Sequence, residues 1–71
     1  MKAMLEYHCF FLDAADRVAA TLTIRCGTDY EAQSRADKML AVSDHAGVEI
    51  WIRGRRLYRS RKPGFYPATL E

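Results

Sequence analysis

Seventy-one residues make one domain at most, and near this size a single core rarely leaves more than about 3 to 5 kcal/mol of stability unless a disulfide, a metal or oligomerisation adds to it. With 49% hydrophobic and 28% charged residues the chain is globular material, which excludes a disordered segment or a coiled coil. The net charge of +2 hides an asymmetry: residues 1–50 carry five positive against eight negative charges, and residues 51–71 carry six against one.

Charge clustered in this way bears on partners more than on fold, since it steers oppositely charged ligands over about a Debye length. The start of the chain, MKAMLEYHCFFL, sets a lysine before an apolar run, but Glu6 and His8 interrupt the run and no small-residue cleavage site follows. A signal peptide is not expected. No stretch approaches the roughly 20 apolar residues needed to cross a bilayer, so the expectation is a soluble, cytoplasmic protein without a membrane partner.

Residues 4–12 and 18–26 alternate with period two on either side of the turn-prone Asp13-Ala14-Ala15-Asp16-Arg17, and read as an antiparallel hairpin. Val18, Ala20, Leu22, Ile24 and Cys26 share the core face of the second strand. Directly opposed residues point the same way, which puts Leu5, Tyr7, Cys9 and Phe11 on that face and Glu6, His8, Phe10 and Leu12 on the other. Cys9 and Cys26 then stand about six residues apart along the ladder, close to 20 Å and beyond disulfide reach. They read as buried, reduced thiols.

Thr28-Asp29-Tyr30-Glu31 has capping-box spacing, with the Thr28 hydroxyl facing the third helical amide and Glu31 reaching back to the amide of Thr28. Asp29 and Glu31 also suit the positive end of the helix dipole. Ala32, Ala36, Met39, Leu40 and Ser43 form one stripe at spacings of three and four, and the alanines let the helix lie close to a sheet. Ala46-Gly47 is the expected stop.

Val48, Ile50 and Ile52 alternate with Glu49, Trp51 and Arg53 as a third strand, and Gly54 turns the chain into a fourth around Arg56 to Ser60. Leu57 falls on the core face, Trp51 and Tyr58 on the opposite one. Lys62-Pro63-Gly64 stops the ladder, leaving residues 62–71 as a tail on a single domain of residues 1–61.

The predicted fold is therefore α+β, ββαββ, an antiparallel four-stranded sheet with one helix packed on one face. The bare face would show His8, Phe10, Leu12, Trp51 and Tyr58 among Thr21, Thr23, Arg17, Arg53 and Arg56. So much apolar surface on a small monomer marks a contact site. Two occupants fit: a second copy of the chain, or the tail folding back through Phe65, Tyr66 and Leu70.

The pattern YHCFFLD, then DYEAQSRADKML, then GVEIWIRGRRLYR resembles a family of very short, uncharacterised bacterial proteins, common in alphaproteobacteria. Its members have an aromatic first strand, a helix with spaced alanines, and a strand with a tryptophan before a Gly-Arg turn. The resemblance covers roughly residues 7–60 and implies a compact bacterial domain. It brings no activity, catalytic residue or cofactor.

Catalytic chemistry finds little support in the residues. His8 and Cys9 are neighbours, but adjacent strand residues point to opposite faces and form no dyad. His45 lies near the end of the helix, where it would meet the dipole and the last carbonyls. Neither HExxH nor CxxC occurs, nor a GxGxxG, phosphate loop or GxSxG elbow, so no metal, cofactor or small-molecule substrate is expected. Asp13 and Asp16 are read as partners of turn amides.

The basic run is the stronger candidate. Arg53, Arg55, Arg56, Arg59, Arg61 and Lys62 are six of the eleven positive charges in ten residues without a carboxylate. Interleaved with Trp51 and Tyr58, they could meet phosphates while the aromatics stack on bases, or dock on an acidic protein. The bland readings are an edge strand charged against aggregation and arginines lying over Trp51. The expectation is a non-enzymatic interaction protein, a homodimer through His8, Phe10, Leu12, Trp51 and Tyr58. A nucleic-acid-binding accessory protein using the basic hairpin is the runner-up.

Overall fold

A computed structural model describes residues 3–62. Four strands, β1 (Leu5–Leu12), β2 (Val18–Cys26), β3 (Gly47–Ile52) and β4 (Arg55–Arg61), with one helix, α1 (Asp29–Ala41) between β2 and β3, give the order ββαββ. The sheet is antiparallel and runs β2-β1-β3-β4, so β1 and β3 are the central strands and the two hairpins join where they pair. This is the expected α+β architecture, a single domain with one helix on one face.

The core lies between that helix and the sheet. Tyr7, Cys9 and Phe11 of β1, Ile24 and Cys26 of β2, and Val48 and Ile50 of β3 face Ala32, Ala36 and Leu40 of the helix. The two alanines are fully buried, and a methyl group at each lets the helix backbone come down onto the strands. Thr28 caps the helix as its sequence predicts, its Oγ1 accepting from the Glu31 amide at 3.1 Å. Glu31 reaches one residue further back than expected, accepting from the Gly27 amide at 3.0 Å.

Two tyrosines of the sheet tie the helix down. Tyr7 donates its hydroxyl to Asp29 Oδ1 at 2.7 Å and Tyr58 donates to Asp37 Oδ2 at 2.8 Å. Burial, first, and the neighbouring Asp29 carboxylate push the Tyr7 phenol up to about 12.

Several expectations need correction. The helix ends at Ala41 with Val42 as its cap, not at Gly47. Ser43 closes it instead, its amide and hydroxyl both donating to the Leu40 carbonyl at 3.1 and 2.9 Å. Gly47 opens β3, where a Cβ would stand 2.9 Å from the Ser60 carbonyl oxygen, so strand proximity and not helix termination requires the glycine. His45 stacks on Phe11, ring centroids 5.3 Å apart.

Register matters most. Leu5 pairs with Cys26 and Cys9 with Leu22, so the cysteines are four residues apart along the ladder, not six. That is still about 13 Å, and both are free and buried. Desolvation raises the Cys9 thiol above its ordinary range. Phe11 pairs with Ala20 but Leu12 with Val18, a bulge that leaves Ala19 over and turns Val18 to the bare face. A second bulge has Ile50 opposite Tyr58 and Trp51 opposite Arg56, leaving Leu57 over. Leu57 and Tyr58 both pack on the core side.

Of the tail expected over residues 62–71 only Lys62 is described, its amide donating to the Ala46 carbonyl at 2.8 Å; Phe65, Tyr66 and Leu70 lie outside the described residues. Among the described residues, no helix is long and apolar enough to cross a membrane.

Candidate functional site

The sheet face away from the helix is built from alternate residues of all four strands. The pairs Glu6 with Arg25, His8 with Thr23 and Phe10 with Thr21 join β2 to β1, and His8 with Trp51 and Phe10 with Glu49 join β1 to β3. Phe10 and Trp51 meet edge to face, ring centroids 6.4 Å apart at 81°. His8 Nδ1 shares a hydrogen bond with Thr23 Oγ1 at 3.2 Å. His8, Phe10 and Trp51, together with Val18, Glu49 and Gly54, line a shallow apolar depression of about 390 Å³.

Of the five residues expected to form this surface, the structure brings together His8, Phe10 and Trp51. Tyr58 does not belong to it, because the bulge at Leu57 turns its ring toward the helix. Leu12 is on this side, opposite Gly47, but only 4% exposed. Asp16, at the tip of the first hairpin, forms ion pairs with Arg59 at 3.0 Å and with Arg61 on β4, two strands beyond β1. The stem of Arg61 lies over Gly47, its Cγ 3.7 Å from where a Cβ would be. Val18, 57% exposed, takes the place sequence reading gave to Leu12.

The basic residues do not make one surface. Arg56 and Arg59 both reach Glu49 Oε2, at 3.4 and 3.6 Å, and Glu49 Oε1 accepts from the Trp51 indole at 3.0 Å. Arg59 thus bridges Glu49 and Asp16. Lys62 turns to the loop after the helix, where its ammonium donates to the Ser43 carbonyl. Arg53 and Arg55 stand at the far end, Arg53 in the turn with φ 53 and Arg55 opposite Ile52 on the helix side. They border a cleft of about 450 Å³ with Leu5, Asp29 and Leu57.

Asp13 behaves as its position in the turn predicts. Its Oδ1 accepts from the Ala15 and Arg17 amides at 2.8 and 2.9 Å, and these bonds, Arg17 first, hold its carboxyl below the usual range. Asp16, expected in the same role, instead works over a distance: it sits at φ 65 and its carboxylate pairs with Arg59 and Arg61 of β4. Among the described residues no group of three His, Cys, Asp or Glu side chains is placed to hold a metal ion.

No protein-family model, curated protein or solved structure matches this chain.

Proposed function

We propose that this chain is a small, non-enzymatic bacterial binding protein of the cytoplasm that self-associates through its bare sheet face. The observation that carries the reading is the apolar depression around the Phe10–Trp51 pair, rimmed by His8, Val18 and Glu49. Half-buried aromatics on an otherwise polar sheet are the kind of group that fills a partner's pocket at the centre of an interface. Docking by a second copy would remove them from water and add to a core that is small for independent stability.

Replacing Trp51 by Glu tests this. The tryptophan is only partly covered in the protomer, so the variant should fold, and sedimentation should then show a monomer where the parent chain is dimeric at about 100 μM, well above a micromolar Kd. An unchanged mass would remove the bare face as the contact.

Nucleic-acid binding by the basic hairpin is the weaker reading. Three of its arginines, Arg56, Arg59 and Arg61, already face Glu49 or Asp16, which lowers the positive field they could offer phosphates. What favours it is the exposure of Arg53 and Arg55 at the turn.

A further inference from the structure

The two outer strands of the sheet are built differently. β4 presents four arginines, Arg55, Arg56, Arg59 and Arg61, the sort of charge that keeps an edge from pairing. β2 reads VAATLTIRC, nine residues with one charge and no proline or lysine. Its bulge lies at the Val18 end, so Ala20 to Cys26 is a regular strand. Among the described residues nothing pairs with its outer side.

Which backbone groups point outward follows from the hydrogen bonds. The Asp13 amide donates to the Arg17 carbonyl, toward β2, whereas the Leu12 carbonyl accepts from Ala46, toward β3. Backbone direction alternates along a strand, so the odd residues of β1 bond to β2. Tyr7, Cys9 and Phe11 therefore exchange bonds with Ile24, Leu22 and Ala20, and the amides and carbonyls of Thr21, Thr23 and Arg25 face away from the sheet. Arg35 agrees with this polarity, since its guanidinium reaches out to the Arg25 carbonyl at 3.1 Å.

We propose that β2 is a self-pairing edge: two copies of the chain join β2 to β2 antiparallel about a two-fold axis at Leu22, forming one continuous eight-stranded sheet. Leu22 is the midpoint of the strand, and this register is self-complementary. Thr21 and Thr23 of one copy exchange both backbone bonds with Thr23 and Thr21 of the other, four bonds in all. Leu22 meets its own copy in the close, non-bonded type of pair, about 4.5 Å between Cα atoms.

The side chains suit the same axis. Leu22 is 45% exposed while Ile24, further along the face, is 5% exposed, because the helix covers only the far end of β2. Two such leucines would cover each other on the helix side. Threonines would meet threonines on the other side, a favourable cross-strand match. The two Arg25 side chains, six residues apart in this register, lie about 20 Å from each other and do not clash. Centring β4 on its own copy would instead bring arginines together.

This contact uses an edge, not the face assigned above, and the two are separable. Amide exchange of the full chain, followed residue by residue, reads the edge directly. In the assembled protein at about 1 mM, the Thr21 and Thr23 amides should exchange at least about tenfold more slowly than free edge amides, and should remain protected in Trp51→Glu. Thr21→Pro removes an outward amide that the protomer does not use, so it should keep the fold, lose the protection at Thr23 and lose the edge contact in sedimentation. Free exchange at Thr21 and Thr23 in the chain at that concentration, whether monomeric or assembled, would overturn the proposal. Should Thr21→Pro not fold, the exchange of the parent chain decides.

Discussion

Tyr58 of the outermost strand donates its hydroxyl to Asp37 Oδ2 in the middle of the helix at 2.8 Å. The bond holds the phenol above its ordinary pKa, the Asp37 carboxylate being the larger cause and burial the second. Only a bulge makes this contact available, since Tyr58 would otherwise point away from the helix. Tyr58→Phe should lower stability by about 1 to 2 kcal/mol, as the partly buried Asp37 loses its donor. Urea unfolding followed by circular dichroism measures this, and an unchanged midpoint would mean that the bond is worth nothing in water.

Tyr7 gives the fold a pH limit. Its phenol is raised from 10.0 to about 12 in the folded chain, so the neutral form is the one the core holds. The stability linked to that shift is present below the unfolded value and is lost as pH rises through the folded one. Tyr7→Phe should be less stable than the parent at neutral pH, and the difference between them should narrow between pH 10 and about 12. Melting temperatures of both proteins across that range provide the check.

The second hairpin turns through Arg53 and Gly54, both at positive φ, 53 and 79. Two such residues make the turn type whose twist matches the strands. Arginine tolerates that conformation poorly, and Arg53→Asn should gain up to about 1 kcal/mol. Gly54→Ala should lose about 1 to 2 kcal/mol by backbone strain alone, since a Cβ there meets nothing within 4 Å. Opposite signs at adjacent positions in thermal unfolding would distinguish this from general sensitivity of the turn.

Gly47 makes the complementary case. A Cβ would come within 2.9 Å of a backbone oxygen, that of Ser60, which cannot swing aside as a side chain could. Gly47→Ala should cost about 1 to 3 kcal/mol and loosen β3 from β4. Exchange rates of the amides between Val48 and Ser60 report whether the loss is local.

Asp16 pairs with both Arg59 and Arg61 across the sheet. Asp16→Asn keeps the left-handed backbone and removes the charge. The expected loss of stability is below about 1 kcal/mol, because the ion pairs are partly exposed. Fluorescence anisotropy with single-stranded RNA and duplex DNA should show no binding by the parent chain even at about 50 mM salt. Tight, salt-steep binding, stronger still in Asp16→Asn, would restore the basic hairpin as the functional surface.

Local chemistry was legible along the chain. Period-two alternation placed both hairpins, the Thr28 cap placed the start of the helix, and the spaced alanines identified the face it buries. The errors arose where one residue more or less in a ladder changes direction. An unbroken alternation places Val18 in the core and Tyr58 on the bare face; the bulges at Ala19 and Leu57 reverse both, since each bulge reverses every side chain beyond it. Nothing in a strand's own composition announces that extra residue.

The sequence by itself determined the order of elements, the buried stripe of the helix, and a chain whose negative and positive charges are segregated. Those properties depend on neighbours within a few residues. Tertiary structure alone decided that β1 sits between β2 and β3, that Asp16 and Glu49 engage three of the six basic residues, and that Leu12 is buried while Val18 is open. It also decided that β2, the less charged edge, is left bare among the described residues. Each follows from strand order and register, which are fixed by long-range packing between segments distant in sequence.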